Sequence, residues 1–252
     1  MRQRRPKRIA FDALRALSKG EWAALLAGRA EVAAPWIASA ARYGLVEAQL
    51  LLGQMLLDGR GIRRDHTSAA HWFAAAADAG SVEAMNMLGR CHEMGWGVRQ
   101  DDAAAADQYS RAAEQGLDWA QYNLANLTLR GRGVTKDRAK ALRLFLRAAD
   151  QGHAKSMNMV GRYFEEGWEV ARDAGAALDW YRRAAWGGDF RGQYNLGCML
   201  AQNGRVAEAA AWLEAAVRGG TADLLCIACA ELLACEEPVL RAAGELAAAR
   251  LA

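Results

Sequence analysis

Histidine and cysteine are the residue types in this sequence best suited to acid–base, nucleophilic or metal chemistry. The chain contains four histidines and five cysteines. His66 and His71 are five residues apart, which does not place two metal ligands on neighbouring turns of one helix. His92 and His153 have no titratable partner at a spacing that indicates general acid–base catalysis. The histidines therefore predict neither a catalytic nor a metal site.

Cys226, Cys229 and Cys235 form the closest group of thiols. A Cys-x-x-Cys segment on a helix can supply two thiolates to zinc, but no second Cys-x-x-Cys or histidine pair completes a set of four ligands. The surrounding sequence LLCIACAELLAC is apolar, so we expect these thiols to lie in the core. The odd number of cysteines and their irregular spacing also argue against a disulfide framework.

Motifs and composition point away from an enzyme and from a membrane protein. The sequence has no G-x-S-x-G elbow, Walker loop, Ser-x-x-Lys or Lys-Thr-Gly segment. A net charge of +3 with 24% charged residues is too small to imply a polyanionic partner. No run of about 18 apolar residues is present, and charged residues interrupt the segment behind the basic start, where a secretory signal needs an apolar core. We predict a cytosolic, non-catalytic protein without cofactor or metal.

The elements that would position any functional group repeat every 36 residues. One series of glycines consists of Gly44, Gly80, Gly116, Gly152 and Gly188, and a second consists of Gly59, Gly95, Gly131 and Gly167. Asp65, Asp101, Asp137 and Asp173 follow the second series at a constant distance. A period of roughly 20 to 50 residues indicates units that bury their apolar faces by stacking on their neighbours. The sequence therefore predicts a helical solenoid that functions through its surface.

The second unit, SVEAMNMLGRCHEMGWGVRQDDAAAADQYSRAAEQG, shows how one repeat is built. Ser81 is an N-cap for a first helix that ends at Gly95, and Asp101 or Asp102 caps a second helix. Ala84, Leu88 and Cys91 recur at helical spacing and are predicted to face the interior. We expect an aromatic series to fill the core opposite small residues, namely Trp72, Tyr109, Phe145, Trp180 and Trp212.

The recurring pattern A-x-x-x-LG-x5-G-x-GV-x2-D-x3-A-x2-(W/Y)-x3-AA-x2-G resembles the Sel-one-like repeat family, a relative of the tetratricopeptide repeats. The resemblance covers about Glu31 to Gly220. It implies an all-α fold, a right-handed superhelical solenoid of antiparallel helix pairs whose first helices line the concave side. It also implies a bacterial adaptor that binds a protein or peptide partner.

We predict four regions on this basis. Residues 1–8 form a basic, disordered leader, and residues 9–44 form a degenerate first repeat or cap. Residues 45–220 contain five repeats, at 45–80, 81–116, 117–152, 153–188 and 189–220, and residues 221–252 form closing helices. The fifth repeat is four residues short, so its connection must be tight or irregular.

Residues offset from the inward positions are predicted to form an exposed stripe on the concave side. Its candidate partner-binding residues are Asn86, Arg90, Trp119, Tyr122, Asn123, Asn126, Lys155, Asn158, Arg162, Arg191, Tyr194 and Asn195. In tetratricopeptide relatives, the asparagine before the Leu-Gly pair hydrogen-bonds a bound peptide, and Asn123 and Asn195 match that position. Trp96 and Trp168 lie in turns, where they pack over the adjacent loop or meet another protein.

Several alternatives stay open from the sequence. Asn86 and Asn158 can hydrogen-bond a neighbouring helix, and Tyr122 and Tyr194 can pack between repeats. Units two and four share one set of residues and units three and five another, which reflects either duplication of a two-unit block or a partner with its own repeat. RNA is the second candidate partner, because helical arrays of similar period read single-stranded RNA, although glutamates on the stripe oppose it. Self-association of the stripe is a further alternative.

Overall fold

The computed structural model describes residues 9–252, and the leader predicted for residues 1–8 lies outside the described part of the chain. Residues 9–252 form fifteen α-helices and no β-strand. The helices are α1 (Phe11–Ala16), α2 (Lys19–Ala27), α3 (Ala30–Arg42), α4 (Val46–Asp58), α5 (His66–Asp78), α6 (Val82–Met94), α7 (Asp102–Glu114), α8 (Asp118–Arg130), α9 (Arg138–Asp150), α10 (Ala154–Glu166), α11 (Ala174–Trp186), α12 (Phe190–Gln202), α13 (Val206–Gly219), α14 (Ala222–Leu233) and α15 (Pro238–Leu251). The all-α prediction is confirmed.

The chain divides into two compact units, which are described separately. The first extends to Ala120 and includes Gly131–Thr135, and the second consists of Gln121–Arg130 and Lys136–Ala252. In the first unit, α3 to α7 pack consecutively, with α1 and α2 against α3. In the second unit, α9 to α13 pack consecutively, and α15 contacts both α13 and α14. The four-region division predicted from the sequence stays a prediction.

Glycines and aspartates end and begin the helices as the repeat pattern predicts. Gly95 ends α6 with a φ of 69°, in the left-handed region that side chains disfavour. Asp101 then caps α7 by accepting hydrogen bonds from two backbone N–H groups, each at 2.9 Å. Ser81 caps α6 by accepting from the backbone N–H of Ala84. These contacts settle the choice between Asp101 and Asp102 in favour of Asp101.

Glycine on the first helix faces an aromatic ring on the second helix of the same pair. A Cβ atom added to Gly89 would lie 2.7 Å from the ring of Tyr109, and one added to Gly161 would lie 2.7 Å from the ring of Tyr181. Both rings are fully buried. The helix axes can therefore approach closely only because these two positions lack a side chain.

The predicted aromatic series was wrong at the three tryptophans. The fully buried positions follow the 36-residue period as Phe73, Tyr109, Phe145 and Tyr181, with Leu213 in the shortened last pair. Trp72, Trp180 and Trp212 precede these positions by one residue and are only half-buried. One residue on a helix rotates the side chain by about 100°, which moves an adjacent tryptophan away from the facing helix.

The thiols on α14 and directly after it are also less buried than predicted. The buried face of this helix consists of Leu224, Leu225, Ala228 and Leu232. Cys226 is exposed, and Cys229 and Cys235 are half-buried. All five thiols of the chain are free, and Cys91 alone among them is buried. Cys229 and Cys235 pack partly against the core, whereas Cys226 lies on the exposed side of α14.

Two connections in the second unit depart from the common turn. Residues 203–205 join α12 to α13, whereas residues 131–137 join α8 to α9, so the later connection is tight, as predicted. In the turn after α10, Glu169 has a φ of 58° and is the one non-glycine residue of the described chain with positive φ. Residues 9–252 contain no helix with both the length and the apolar composition that a bilayer crossing requires.

Candidate functional site

A cavity of about 700 Å³ opens in the second unit along the first helices of successive pairs. Its walls come from α8, α10, α12 and α14, together with the turn after α10. The lining residues are Tyr122, Asn126, Leu129, Arg130, Lys155, Asn158, Met159, Arg162, Glu165, Glu166, Trp168, Asp189, Arg191, Tyr194, Asn195, Cys198, Asp223, Leu224, Ile227 and Glu231. The volume is within the range of sites that hold small ligands or short peptide segments.

Most of the predicted stripe residues in the second unit meet in this cavity. Those that line it are Tyr122, Asn126, Lys155, Asn158, Arg162, Arg191, Tyr194 and Asn195. Asn123, in the same unit, does not line it. Asn86, Arg90 and Trp119 belong to the first unit and are not part of this site. The helical phase therefore predicted a shared wall in the second unit, and the role of every one of these residues in binding stays a prediction.

Asn158 and Asn195 form an amide pair across neighbouring first helices. The Nδ2 group of Asn195 donates to Oδ1 of Asn158 at 2.9 Å. Asn158 is buried, as is Asn86 in the first unit, so the prediction that these two side chains are exposed was wrong. The amide pair retains a carbonyl oxygen on Asn195 and N–H donors on Asn158, which are the two groups that a peptide backbone requires of its partner.

The two tyrosines of the wall are packed rather than freely exposed. The ring of Tyr122 lies 4.8 Å from His153 and 6.0 Å from Phe145, between centroids. Tyr194 is buried, and its hydroxyl donates to Oε2 of Glu231 at 2.6 Å. Burial raises the pKa of Tyr194, and the bond to Glu231 raises it further. The exposure predicted for Tyr194 was wrong, because its ring fills space between helices and only part of its surface reaches the cavity.

The turn tryptophans are covered by arginines. The Arg162 guanidinium lies 5.3 Å from the ring centroid of Trp168, and that of Arg138 lies 5.1 Å from the same ring. Tyr163 packs edge-on against Trp168 at 5.5 Å. In the first unit, Trp96 has Arg90 at 5.2 Å. Cation–π contacts of this kind hold both the indole and the guanidinium in place, so Arg162 enters the cavity in a fixed position.

The charges on the cavity wall differ between the two ends of the helices. Lys155 and Arg191 each lie one residue inside the start of their helix, whereas Glu165 and Glu166 are the last two residues of α10. About eleven residues at a rise of ~1.5 Å separate the two ends by ~16 Å. Asp189 and Asp223 accompany the two cations near the helix starts, and Arg130 accompanies the carboxylates near the helix ends. Charges of both signs therefore occur at both ends of the wall, with an excess of carboxylates only near the helix ends.

Sequence reasoning placed Glu165 on the exposed stripe without a partner-binding role, and it missed Glu231 and one helix cap. Glu165 accepts a hydrogen bond from the hydroxyl of Tyr181 at 2.6 Å, and Glu231 accepts from Tyr194 at the same distance. The ring of His153 accepts from the backbone N–H of Ser156 and so caps α10. A signal for the bond between Tyr181 and Glu165 was present, because Glu93 and Tyr109 occur 72 residues earlier than Glu165 and Tyr181.

Comparisons with known proteins agree with this architecture. The family model described as Sel1 repeat matches residues 46–81, 82–117, 120–153 and 154–189. A solved Sel1 repeat protein from Oxalobacter formigenes is 25% identical and superimposes with a TM-score of 0.77, covering 89% of this chain and 96% of that one.

Two immunity proteins from Pseudomonas aeruginosa, PA5088 and Pa5087, share the fold at 18% and 16% identity. Their TM-scores are 0.57 and 0.56, and each comparison covers 82% of this chain and 80% of the other. The comparison with curated proteins finds no match.

Proposed function

This chain belongs to the Sel1 repeat family, and we propose that it is a bacterial, cytosolic, non-catalytic scaffold that holds an extended peptide segment of a partner protein in the cavity of its second unit. Sel1 repeat proteins are generally scaffolds for protein interactions. The observation that supports this binding site is that α8, α10, α12 and α14, the first helices of four successive pairs, all line one cavity.

The chemistry of the wall suits a peptide better than a compact apolar ligand. Asn158 and Asn195 offer donors and an acceptor to a peptide backbone, and Arg162 is held beside them by Trp168. Fixed aromatic and arginine side chains are the residues most enriched among interface hot spots, because little conformational entropy is lost when they bind. An extended segment of about five residues would span the ~16 Å between the starts and the ends of these helices.

The same wall argues against the RNA alternative. Glu165, Glu166 and Glu231 line the cavity near the helix ends. Asp223 lines the same cavity near the start of α14. Carboxylates in these positions would repel a phosphate backbone, whereas nucleic-acid sites concentrate positive charge. A protein segment with charges of both signs matches the wall more closely.

The test uses a phage-displayed library of random linear peptides of about eight residues, long enough to span ~16 Å. The full chain is compared with the double variant Arg162→Ala/Asn195→Ala and with a matched control, Arg143→Ala/Asn203→Ala, whose two side chains are exposed and do not line the cavity. We expect peptides selected on the unmodified chain to bind the double variant about tenfold or more weakly, because a central arginine and an amide partner are lost, and to bind the control normally. Full affinity for the double variant, or no selectable binder, would refute the assignment.

A further inference from the structure

The carboxylate of Glu165 has a counterpart in the first unit that already holds an arginine. There, the hydroxyl of Tyr109 donates to Oε2 of Glu93 at 2.9 Å, and Arg132 donates to Oε1 of Glu93 at 3.2 Å. Arg132 also forms a two-bond contact with Asp102, at 2.7 and 3.0 Å. These contacts raise the pKa of Arg132, and the hydrogen bond to Asp102 is the largest cause. In the first unit, a tyrosine-anchored glutamate therefore binds a guanidinium together with Asp102.

The second unit repeats the glutamate and the tyrosine without the arginine. Tyr181 donates to Oε2 of Glu165 at 2.6 Å, as Tyr109 does to Glu93. The residue 72 positions after Arg132 is Gly204, in the connection that is four residues shorter, and Arg205 beside it pairs with Glu208. Among residues 9–252, Glu165 takes part in no ion pair within 4.0 Å. The shortened turn has removed the internal cation and left the carboxylate oriented.

The surroundings of Glu165 place this carboxylate where a partner can reach it. Glu165 lines the cavity, and so do Glu166 and Glu231 at the same end. Met94 and Asp102 of the first unit correspond to Glu166 and Ala174, so the second unit lacks the aspartate at the start of the following helix and carries an additional carboxylate on the cavity wall.

We infer that Glu165, held by Tyr181, is the seat for an arginine side chain of the bound peptide, and that this contact fixes the direction of the peptide in the cavity. The inference rests on the proposed function and adds the chemistry of the partner. The guanidinium of the partner takes the place that Arg132 occupies beside Glu93, at the end of the cavity where carboxylates are in excess. Arginine suits this place because its planar group presents several N–H donors to a carboxylate, as Arg132 does to Glu93.

The experiment compares peptides selected on the full chain with versions in which each arginine is replaced by citrulline, which keeps the shape and removes the charge. We expect the replacement to weaken binding to the unmodified chain about tenfold and to have about a twofold effect or less on the Glu165→Gln variant. Glutamine can still accept the Tyr181 hydrogen bond, so this variant should fold normally. Glu245→Gln, on an exposed residue that does not line the cavity, is the matched control and should retain the tenfold preference.

Two results would overturn this inference while the proposed function stands. One is a set of peptides without arginine, or peptides whose citrulline versions bind equally well, that nevertheless lose affinity for Arg162→Ala/Asn195→Ala. The other is an undiminished arginine preference in Glu165→Gln. Peptides that bind all variants alike would instead remove the cavity as the binding site, and with it both proposals.

Discussion

The close approach of α10 and α11 predicts that Gly161→Ala destabilises the second unit. Alanine is normally the better residue in a helix interior, by about 1 kcal/mol over glycine. Here, however, the added Cβ would lie 2.7 Å from both Cδ1 and Cε1 of Tyr181. Ordinary carbon–carbon contacts are about 3.5 to 4.0 Å, so the ring or the helix must move by about 1 Å. The substitution therefore sets helix propensity against packing.

Packing should prevail because the tyrosine ring cannot move independently. Its hydroxyl donates to Glu165 at 2.6 Å, and the ring is fully buried. Overpacking of this kind costs about 1 to 3 kcal/mol, and displacement of the hydroxyl weakens a hydrogen bond worth about 1 kcal/mol. After the gain in helix propensity, we expect a net loss of about 1 to 3 kcal/mol.

Thermal unfolding followed by far-ultraviolet circular dichroism measures this loss. For a chain of this size we expect Tm to fall by about 3 to 8 °C. Gly219→Ala is the matched control, since its Cβ would meet no atom nearer than 3.8 Å, and its Tm should remain within about 2 °C of the unmodified protein. In the Tyr181→Phe background the cost of Gly161→Ala should shrink, because the ring is no longer anchored. An unchanged or higher Tm for Gly161→Ala would refute the argument.

Two further predictions concern the turns and caps of the first unit. Gly97→Ala should lower the free energy of unfolding by more than about 3 kcal/mol, because the residue has a positive φ and its Cβ would lie 2.1 Å from a backbone oxygen. Gly95→Ala should lower it by only about 1 to 3 kcal/mol, because φ is also positive there but the nearest contact is 3.5 Å. Urea unfolding measures both losses. Hydrogen bonds from backbone N–H groups lower the pKa of Asp101 in the folded protein below its ordinary value of 3.8. The stabilisation that Asp101 gives the folded state is therefore fully present above the pKa of the unfolded chain, and it is lost as pH falls through the lower pKa of the folded protein. Asp101→Ala should lower Tm at pH 7 and make Tm less dependent on pH below about 4; an unaltered acid dependence would contradict this.

Much of the fold followed from the sequence because its determinants are local. Gly95 must adopt a backbone angle that side chains disfavour, and Asp101 caps the next helix through a bond that spans two or three residues. Such features repeat with the period and need no knowledge of distant contacts. The helical phase likewise predicted that Lys155, Arg162 and Asn195 share one wall.

Other features depended on how the helices meet. Which of two adjacent aromatics is buried, Trp180 or Tyr181, is decided by a rotation of about 100° relative to the facing glycine, and the sequence pattern did not resolve it. The burial of Asn158 and Tyr194 likewise depends on neighbouring helices that cover side chains which a single helix would expose.

The sequence alone thus determined the repeating helix pairs, their turns and the wall from which a binding site could be made, because each depends on backbone angles and spacing within one unit. Only the tertiary structure showed that Tyr181 holds Glu165 and that Arg132 fills the equivalent place beside Glu93. Those contacts join side chains 16 and 39 residues apart, and their existence depends on the distance between packed helices. Helix propensity and periodicity carry no information about that distance, which is set by the volumes of the side chains between the helices.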